Sequence, residues 1–401
     1  MNQKIEEVVH RYRDFLTGFL ALIITTVLAS VAGIYLGSVN ELLLLIPGLM
    51  ILVPSSINMR GAIAGILSSR LASSMHLGAF DINYSRGSVL GDNLRATFIL
   101  TVLIAAVVGF IGYIIGNAAG LAIISVHEMI LISVLSGTIA GLIVTLITLL
   151  VSLGTYRYGF DLDIIGAPTV TTAGDVITLP LLVIAAVIVV NLPSTWQSLL
   201  FGLVLLMVAA AIIGTLRGTD TIQSIIRQGF PLLAPLCILG TIAGLIYTEG
   251  LEDLVATAAL LIIIPPFMNG CGAIGGIICS KLATGMHMGE IEPRIIPDRN
   301  ALSGFLNNYL YALLILPLMA VIAHSAALMM HLDSPGLPMM IVITTLSGVI
   351  VVTGLNILAY MTATISFSLG YDPDNFGIPV VTSSIDLVGA TVLILVIQLL
   401  L

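Results

Sequence analysis

The sequence predicts an all-α polytopic membrane protein of two parallel five-helix repeats plus one connecting transmembrane helix, about eleven spans related by a pseudo-two-fold axis along the membrane normal. Three observations predict it. Of 401 residues, 58% are hydrophobic and only 8% are charged, against roughly a quarter charged in a soluble globular domain. Apolar stretches of the ~20 residues that a bilayer crossing needs recur from Phe15 almost to Leu401. The chain also matches itself at an offset of 211 residues.

The first apolar run, near 15 to 38, follows a charged stretch from Lys4 to Asp14. It is too long for a signal-peptide core and reads as a retained span. Further spans fall near 42 to 68, 95 to 117, 127 to 153 and 168 to 192. The run at 197 to 216 is a connector that returns the chain to the side on which it began. Five more spans follow near 230 to 248, 253 to 279, 303 to 330, 338 to 368 and 378 to 400. The expected organisation is a first repeat over 1–192, a connecting helix within 193–218 and a second repeat over 219–401.

Positive residues test this scheme, because cytoplasmic loops hold the excess of Lys and Arg. Lys4, Arg11, Arg13, Arg70, Arg86, Arg95, Arg157, Arg217, Arg227, Lys281, Arg294 and Arg299 all fall in or beside loops that the scheme puts on one side. Only Arg60 lies within a span. The opposite loops hold Glu41, His127, Glu128, Glu249, Glu252, Asp253, His331 and Asp333, and Trp196 lies at a short turn where an interfacial aromatic is expected. The N-terminus is therefore expected in the cytoplasm and the C-terminus outside.

Composition removes other classes. Basic residues are not clustered with aromatics, so the net charge of −8 points away from nucleic acid. Cys237, Cys271 and Cys279 lie in or beside apolar segments without zinc-type spacing and read as small hydrophobes.

The repeat carries the site. Gly61 to Gly78 matches Gly272 to Gly289 at 11 of 18 positions. In the same register Pro54 falls on Pro265, Asn58 on Asn269, Ser136 on Ser347 and Gly137 on Gly348. A second block, Gly159, Asp161, Asp163, Gly166, Pro168, Thr171 and Asp175, falls on Gly370, Asp372, Asp374, Gly377, Pro379, Thr382 and Asp386. One register held across both blocks marks a duplication.

Asp175 and Asp386 are the acidic residues well inside apolar spans, at the same place in both repeats. A carboxylate at membrane depth costs several kcal/mol unless it is paired, protonated or facing a watery cavity. Thr171 and Thr382 lie four residues earlier, on the same helical face. Back-bonding to their own helix is their simpler use. Carboxylate, hydroxyl, carbonyl and water are ligands of hard cations, and Mg²⁺ keeps several waters, so two carboxylates plus waters suffice. Such a site reads charge and size and could admit Mn²⁺ or Co²⁺.

Asn58 and Asn269 rank second, because Pro54 and the pair Pro265 and Pro266 put helix breakers beside them in mid-span, tolerated only against protein or a water-lined cavity. A plain kink and an interhelical hydrogen bond explain them equally well. Pro168 and Pro379 open the aspartate-bearing spans. Asp161, Asp163, Asp372 and Asp374 precede those spans and suit helix capping or a cytoplasmic metal-recruiting site. Gly61 with Gly65, and Gly272 with Gly276, have the small-xxx-small spacing of close helix packing. Arg70, Lys281, His76 and His287 sit at helix ends and read as structural.

From Pro54 through Gly78, from Pro265 through Gly289, and most specifically from Tyr371, Asp372, Pro373, Asp374 and Asn375 through Pro379 and Thr382 to Asp386, the sequence resembles the membrane domain of MgtE-type magnesium transporters. The doubled form is most similar to the tandem-repeat solute-carrier branch, family forty-one, and its prokaryotic relatives. The resemblance implies a Mg²⁺-conducting pore between the repeats, lined by the fifth helices, in which Asp386 and, in the first repeat, Asp175 hold the ion. The first copy reads Asp161, Leu162, Asp163, Ile164 where the second reads Asp372, Pro373, Asp374, Asn375, so the two halves differ at the cytoplasmic mouth. The large sensor domains of bacterial MgtE have no room here, and a fused pseudo-dimer could work as a monomer.

A transporter and not an enzyme is therefore expected, with divalent cations and the lipid bilayer as partners. A Na⁺- or H⁺-coupled exchanger is the closer alternative to a channel. An intramembrane aspartyl protease is remote, since its Tyr-Asp, Gly-x-Gly-Asp and Pro-Ala-Leu contexts do not frame Asp175 or Asp386.

Overall fold

The computed structural model describes residues 2–46, 48–76, 78, 80–158, 162–369 and 373–401, and the side chains of these apart from 2–14, 76, 155, 156, 158, 162–171 and 373–379. Among the described residues all regular structure is helical. The helices are α1 (Asn2–Ser38), α2 (Asn40–Leu45), α3 (Leu49–His76), α4 (Val89–Ala118), α5 (Val126–Tyr158), α6 (Leu162–Asn191), α7 (Ser194–Leu216), α8 (Asp220–Glu249), α9 (Leu251–Ala256), α10 (Ala259–His287), α11 (Arg299–Met329), α12 (Leu337–Ser368) and α13 (Pro373–Leu400). Eleven are long and apolar enough to cross a membrane, in the order that the sequence predicts. Exposed leucine, isoleucine and valine are spread along them, as a bilayer in place of water requires.

The boundaries differ where caps override hydropathy. The spans expected at 42 to 68 and 253 to 279 each divide into a short helix and a long one. Gly48, at φ 89°, breaks the chain before α3, and α9 closes before α10. Both long helices then run past Arg70 and Lys281 to end at a left-handed glycine, Gly78 (φ 65°) or Gly289 (φ 74°), the usual helix stop. The arginine and lysine are thus inside their helices. Arg70 donates from Nε to Asn93 Oδ1 at 2.8 Å, tying the end of α3 to the start of α4. α8 begins ten residues before its expected start, capped by the Thr219 hydroxyl, which accepts from Ile222 N at 3.4 Å.

The chain forms two compact units, one of Met1–Asn40 with Glu252–Leu401 and the other of Glu41–Leu251. In the first, α10 is packed by α1, α11, α12 and α13; in the second, α3 is packed by α4, α5, α6 and α8. These two central helices are the most buried spans, at 61% and 67% of their most apolar windows, against 11% for the connector α7. The helices expected to open the two sequence repeats, α1 and α8, thus pack on α10 and α11 and on α3 and α4 respectively. Glycines make that packing possible. A Cβ on Gly33 of α1 would overlap the carbonyl oxygen of Ile262, and one on Gly244 of α8 would overlap that of Ile51.

One polar clasp belongs to the second unit alone. Asp92, buried at the start of α4, accepts from Thr219 Oγ1 at 2.6 Å, Gly87 N at 3.1 Å and Arg95 Nη1 at 3.2 Å. Asp92→Ala strands these donors, and its expected cost is about 2 kcal/mol, read as a lower melting midpoint in detergent. The corresponding position in the other repeat, Ser303, has no such set among the described residues, and Ser303→Ala is expected to leave the midpoint unchanged.

Candidate metal site

The two membrane aspartates are placed by helix-on-helix seams. In the first unit, α13 lies on α10, with Val381 Cγ1 at 2.7 Å and Ile385 Cδ1 at 3.5 Å from where a Cβ on Gly275 would stand, and Met268 Sδ at 3.1 Å from that of Gly389. Thr382 and Asp386 each follow a seam residue, so they lie ~100° round the helix from it, stacked one turn apart. Asp386 is 9% exposed and Thr382 is half-buried. In the second unit, α6 lies on α3, with Arg60 Cγ at 3.4 Å and Gly61 N at 3.5 Å from the Cβ position of Gly174. The half-buried Asp175 is the next residue along α6, which sets it beside the stretch from Asn58 to Gly61.

Asn58 and Asn269 are half-buried on α3 and α10, the helices that carry the aspartate helices. None of Asn58, Asn269, Asp175, Thr382 and Asp386 is without a partner. Pro54, Pro265 and Pro266 do not interrupt their helices. Pro266 lacks the N–H that Ile262 O would accept, and that carbonyl is the atom Gly33 approaches. The proline is therefore accommodated against protein.

Of the other predicted positions, Thr171, Pro168 and Asp163 lie on α6 and Pro379 and Asp374 on α13, with their side chains outside the described residues. Asp161 and Asp372 lie outside them altogether, as does the side chain of His76. His287 packs edge-on against Phe367 at 5.4 Å, a structural contact. The three cysteines are buried and form no disulfide. Among the described residues no three His, Cys, Asp or Glu side chains converge on one point. Single carboxylates with hydroxyl and amide neighbours suit an ion that keeps its water.

Sequence reasoning passed over one residue of consequence. Arg60, the cation inside a span, is 4% exposed in the middle of α3. Its guanidinium lies in a slot cut by Gly137 and Gly141 of α5 and Thr101 of α4, donating from Nη1 to Thr101 Oγ1 at 3.3 Å. Its Nε has no hydrogen-bond partner among the described residues, and Arg60 lines a cavity of about 10 Å³ together with Ser56 and Ser133. The repeat equivalents of Arg60, Thr101, Gly137 and Gly141 are Cys271, Ala312, Gly348 and Val352, all buried and none charged. Leu316, in the place of Ala105, reaches the Cβ position of Gly348, and Val352 stands where the other unit has a glycine, so apolar side chains fill in one unit the room that the arginine takes in the other. The signal was legible: one register, with a charge on one side and a thiol on the other.

The MgtE family model, described as divalent cation transporter, matches residues 53–185 and 264–396, which are α3 to α6 and α10 to α13. The chain belongs to the MgtE family. It is a multi-pass membrane protein of a divalent cation transporter family, and such families are not enzymes, so the protease reading falls away. Among curated proteins, this MgtE-family chain is 22% identical over 372 residues to solute carrier family 41 member 3 of Mus musculus, covering 86% of this chain and 74% of that protein. To solute carrier family 41 member 2 it is 24% identical over 361 residues for the Homo sapiens protein and 23% over 359 for that of Gallus gallus, covering 86% of this chain in each case. The chain spans 63% and 62% of those two. No solved structure matches it.

Proposed function

We propose that the chain carries Mg²⁺ across the membrane, with Asp386 and Asp175, one from each sequence repeat, as the carboxylates that hold the partly hydrated ion. The observation that carries this reading is the shared placement of the two aspartates, each one residue beyond a seam with the central proline- and asparagine-bearing helix of its unit. Thr382 and Thr171 offer hydroxyls one turn away, and Asn269 and Asn58 offer amides. All are oxygen donors suited to a hard cation, and no sulfur or imidazole donor is invoked. The one-sided distribution of Lys and Arg supports a cytoplasmic N-terminus. The internal duplication supports function as a monomer.

Proteoliposomes with wild-type chain or Asp175→Asn/Asp386→Asn test the proposal, with membrane potential and the Na⁺ gradient set independently. Wild-type Mg²⁺ uptake and background uptake in the folded double variant are expected. Unchanged flux in that variant would remove the aspartates from the ion path. Uptake that follows potential alone identifies conduction, whereas uptake that requires a Na⁺ or H⁺ gradient identifies exchange.

A further inference from the structure

The unit Glu41–Leu251 carries a second site, unrelated to the aspartates. A crevice of about 870 Å³ opens along α4, α5 and the loosely attached α7. Its walls are apolar and face outward, with Phe98, Leu142, Leu146 and Ile213 between 39% and 55% exposed. Its polar end is lined by Arg86, Arg95 and Arg217, and no Asp or Glu lines it.

Each arginine is held at that end by local structure. Arg86 precedes the cap of α4 and donates from Nη2 to the Arg217 carbonyl at 2.5 Å. Arg95, nearly two turns into α4, donates to Asp92 and, from Nη2, to Tyr84 O at 2.9 Å. Arg217 follows the last residue of α7, and its guanidinium has no hydrogen-bond partner among the described residues. Asp92, the carboxylate paired with Arg95, is buried and also accepts from Thr219 and Gly87, and Asp220, exposed at the start of α8, does not line the crevice.

The lining of α4 runs from Leu94 to Thr101 and that of α5 from Gly141 to Leu149, ~10 to 12 Å at 1.5 Å per residue. Half of a ~30 Å hydrocarbon core is about 15 Å, so the crevice takes the upper part of an acyl chain. An outward-facing apolar crevice that ends in three guanidiniums matches an acyl chain that ends in a phosphodiester. Guanidinium pairs with phosphate in bidentate fashion, and basic recesses between membrane helices take anionic headgroups.

We propose that this crevice is a binding site for one anionic glycerophospholipid, whose acyl chain lies along α4, α5 and α7 and whose phosphate is held by Arg86, Arg95 and Arg217. The lipid braces the connector helix α7 against the bundle, which the sparse protein packing of α7 leaves to another component.

The test uses the full chain in detergent with phosphatidylglycerol or phosphatidylcholine added, reading retained lipid by native mass spectrometry and the melting midpoint. Wild type is expected to retain phosphatidylglycerol preferentially and to melt about 2–4 °C higher with it. Arg217→Gln, which breaks no existing hydrogen bond, is expected to melt like wild type in phosphatidylcholine and to bind phosphatidylglycerol about fivefold more weakly. Arg217→Lys is expected to restore most of the preference. Equal retention of the two lipids by wild type, or equal binding by wild type and Arg217→Gln, would overturn the proposal. So would the full shift with inorganic phosphate alone, which would show a site for free phosphate.

Discussion

Asp386→Asn is expected to cut Mg²⁺ uptake about 100-fold and Asp175→Asn only about tenfold, although the two occupy one register of the repeat. The difference comes from Arg60. Its stem lies against Gly174, the residue before Asp175, while the equivalent residue in the other repeat is the neutral, buried Cys271. A unit charge about 10 Å away at an effective dielectric near 20 is worth ~1.7 kcal/mol, an order of magnitude in affinity. Asp175 thus works against a fixed positive charge that Asp386 does not meet. Arg60→Met keeps the stem and removes the charge; it is expected to lower the Mg²⁺ concentration at half-maximal uptake about tenfold, whereas Arg60→Lys stays near wild type. Initial rates across a Mg²⁺ series in proteoliposomes read both effects. Equal losses in the two aspartate variants, with Arg60→Met unchanged, would make Arg60 a packing residue only.

The spans and the aspartate register were legible because both rest on one-dimensional signals: apolar length, loop charge and self-similarity. Helix ends were less so. Arg70 and Lys281 look like interfacial residues, yet their helices run on to Gly78 and Gly289, the first glycines past them in a left-handed conformation. Nor does the repeat in sequence disclose which helices pack together. That α1 packs with α10 and α11, and α8 with α3 and α4, is decided by complementary shapes among residues more than 100 positions apart, to which hydropathy is blind. Arg60 was visible as an exception to the charge rule, but its meaning needed the slot of Gly137, Gly141 and Thr101 beside its apolar counterpart. The small-xxx-small spacing misled in part. A Cβ on Gly272 would meet only Ile385 Cδ1, at 3.9 Å, and one on Gly65 or Gly276 would meet nothing within 4 Å.

Gly33→Val and Gly244→Val are expected to be the most destabilising substitutions among the glycines, at about 3 kcal/mol or more each. Both stand where a first helix crosses a central helix, and in both cases the atom in the way is a backbone carbonyl oxygen, that of Ile262 or of Ile51. A side-chain clash can be relieved by a rotamer change; a carbonyl can be relieved only by moving the helix. Within a bilayer, close approach of small residues is the main source of helix association, since lipid tails are as apolar as leucine. Gly33→Val carries a further cost, because Ile262 O has lost its helical donor to Pro266 and would be left without the glycine contact that covers it. Gly65→Ala and Gly276→Ala are the controls: each sits inside a helix with open space at the Cβ position, so each is expected to be neutral or to gain up to about 1 kcal/mol from helix propensity. Melting midpoints in one detergent, with uptake measured on the folded fraction, separate the two classes. Valine variants that melt with the alanine controls would mean that α1 and α8 are not anchored at these crossings.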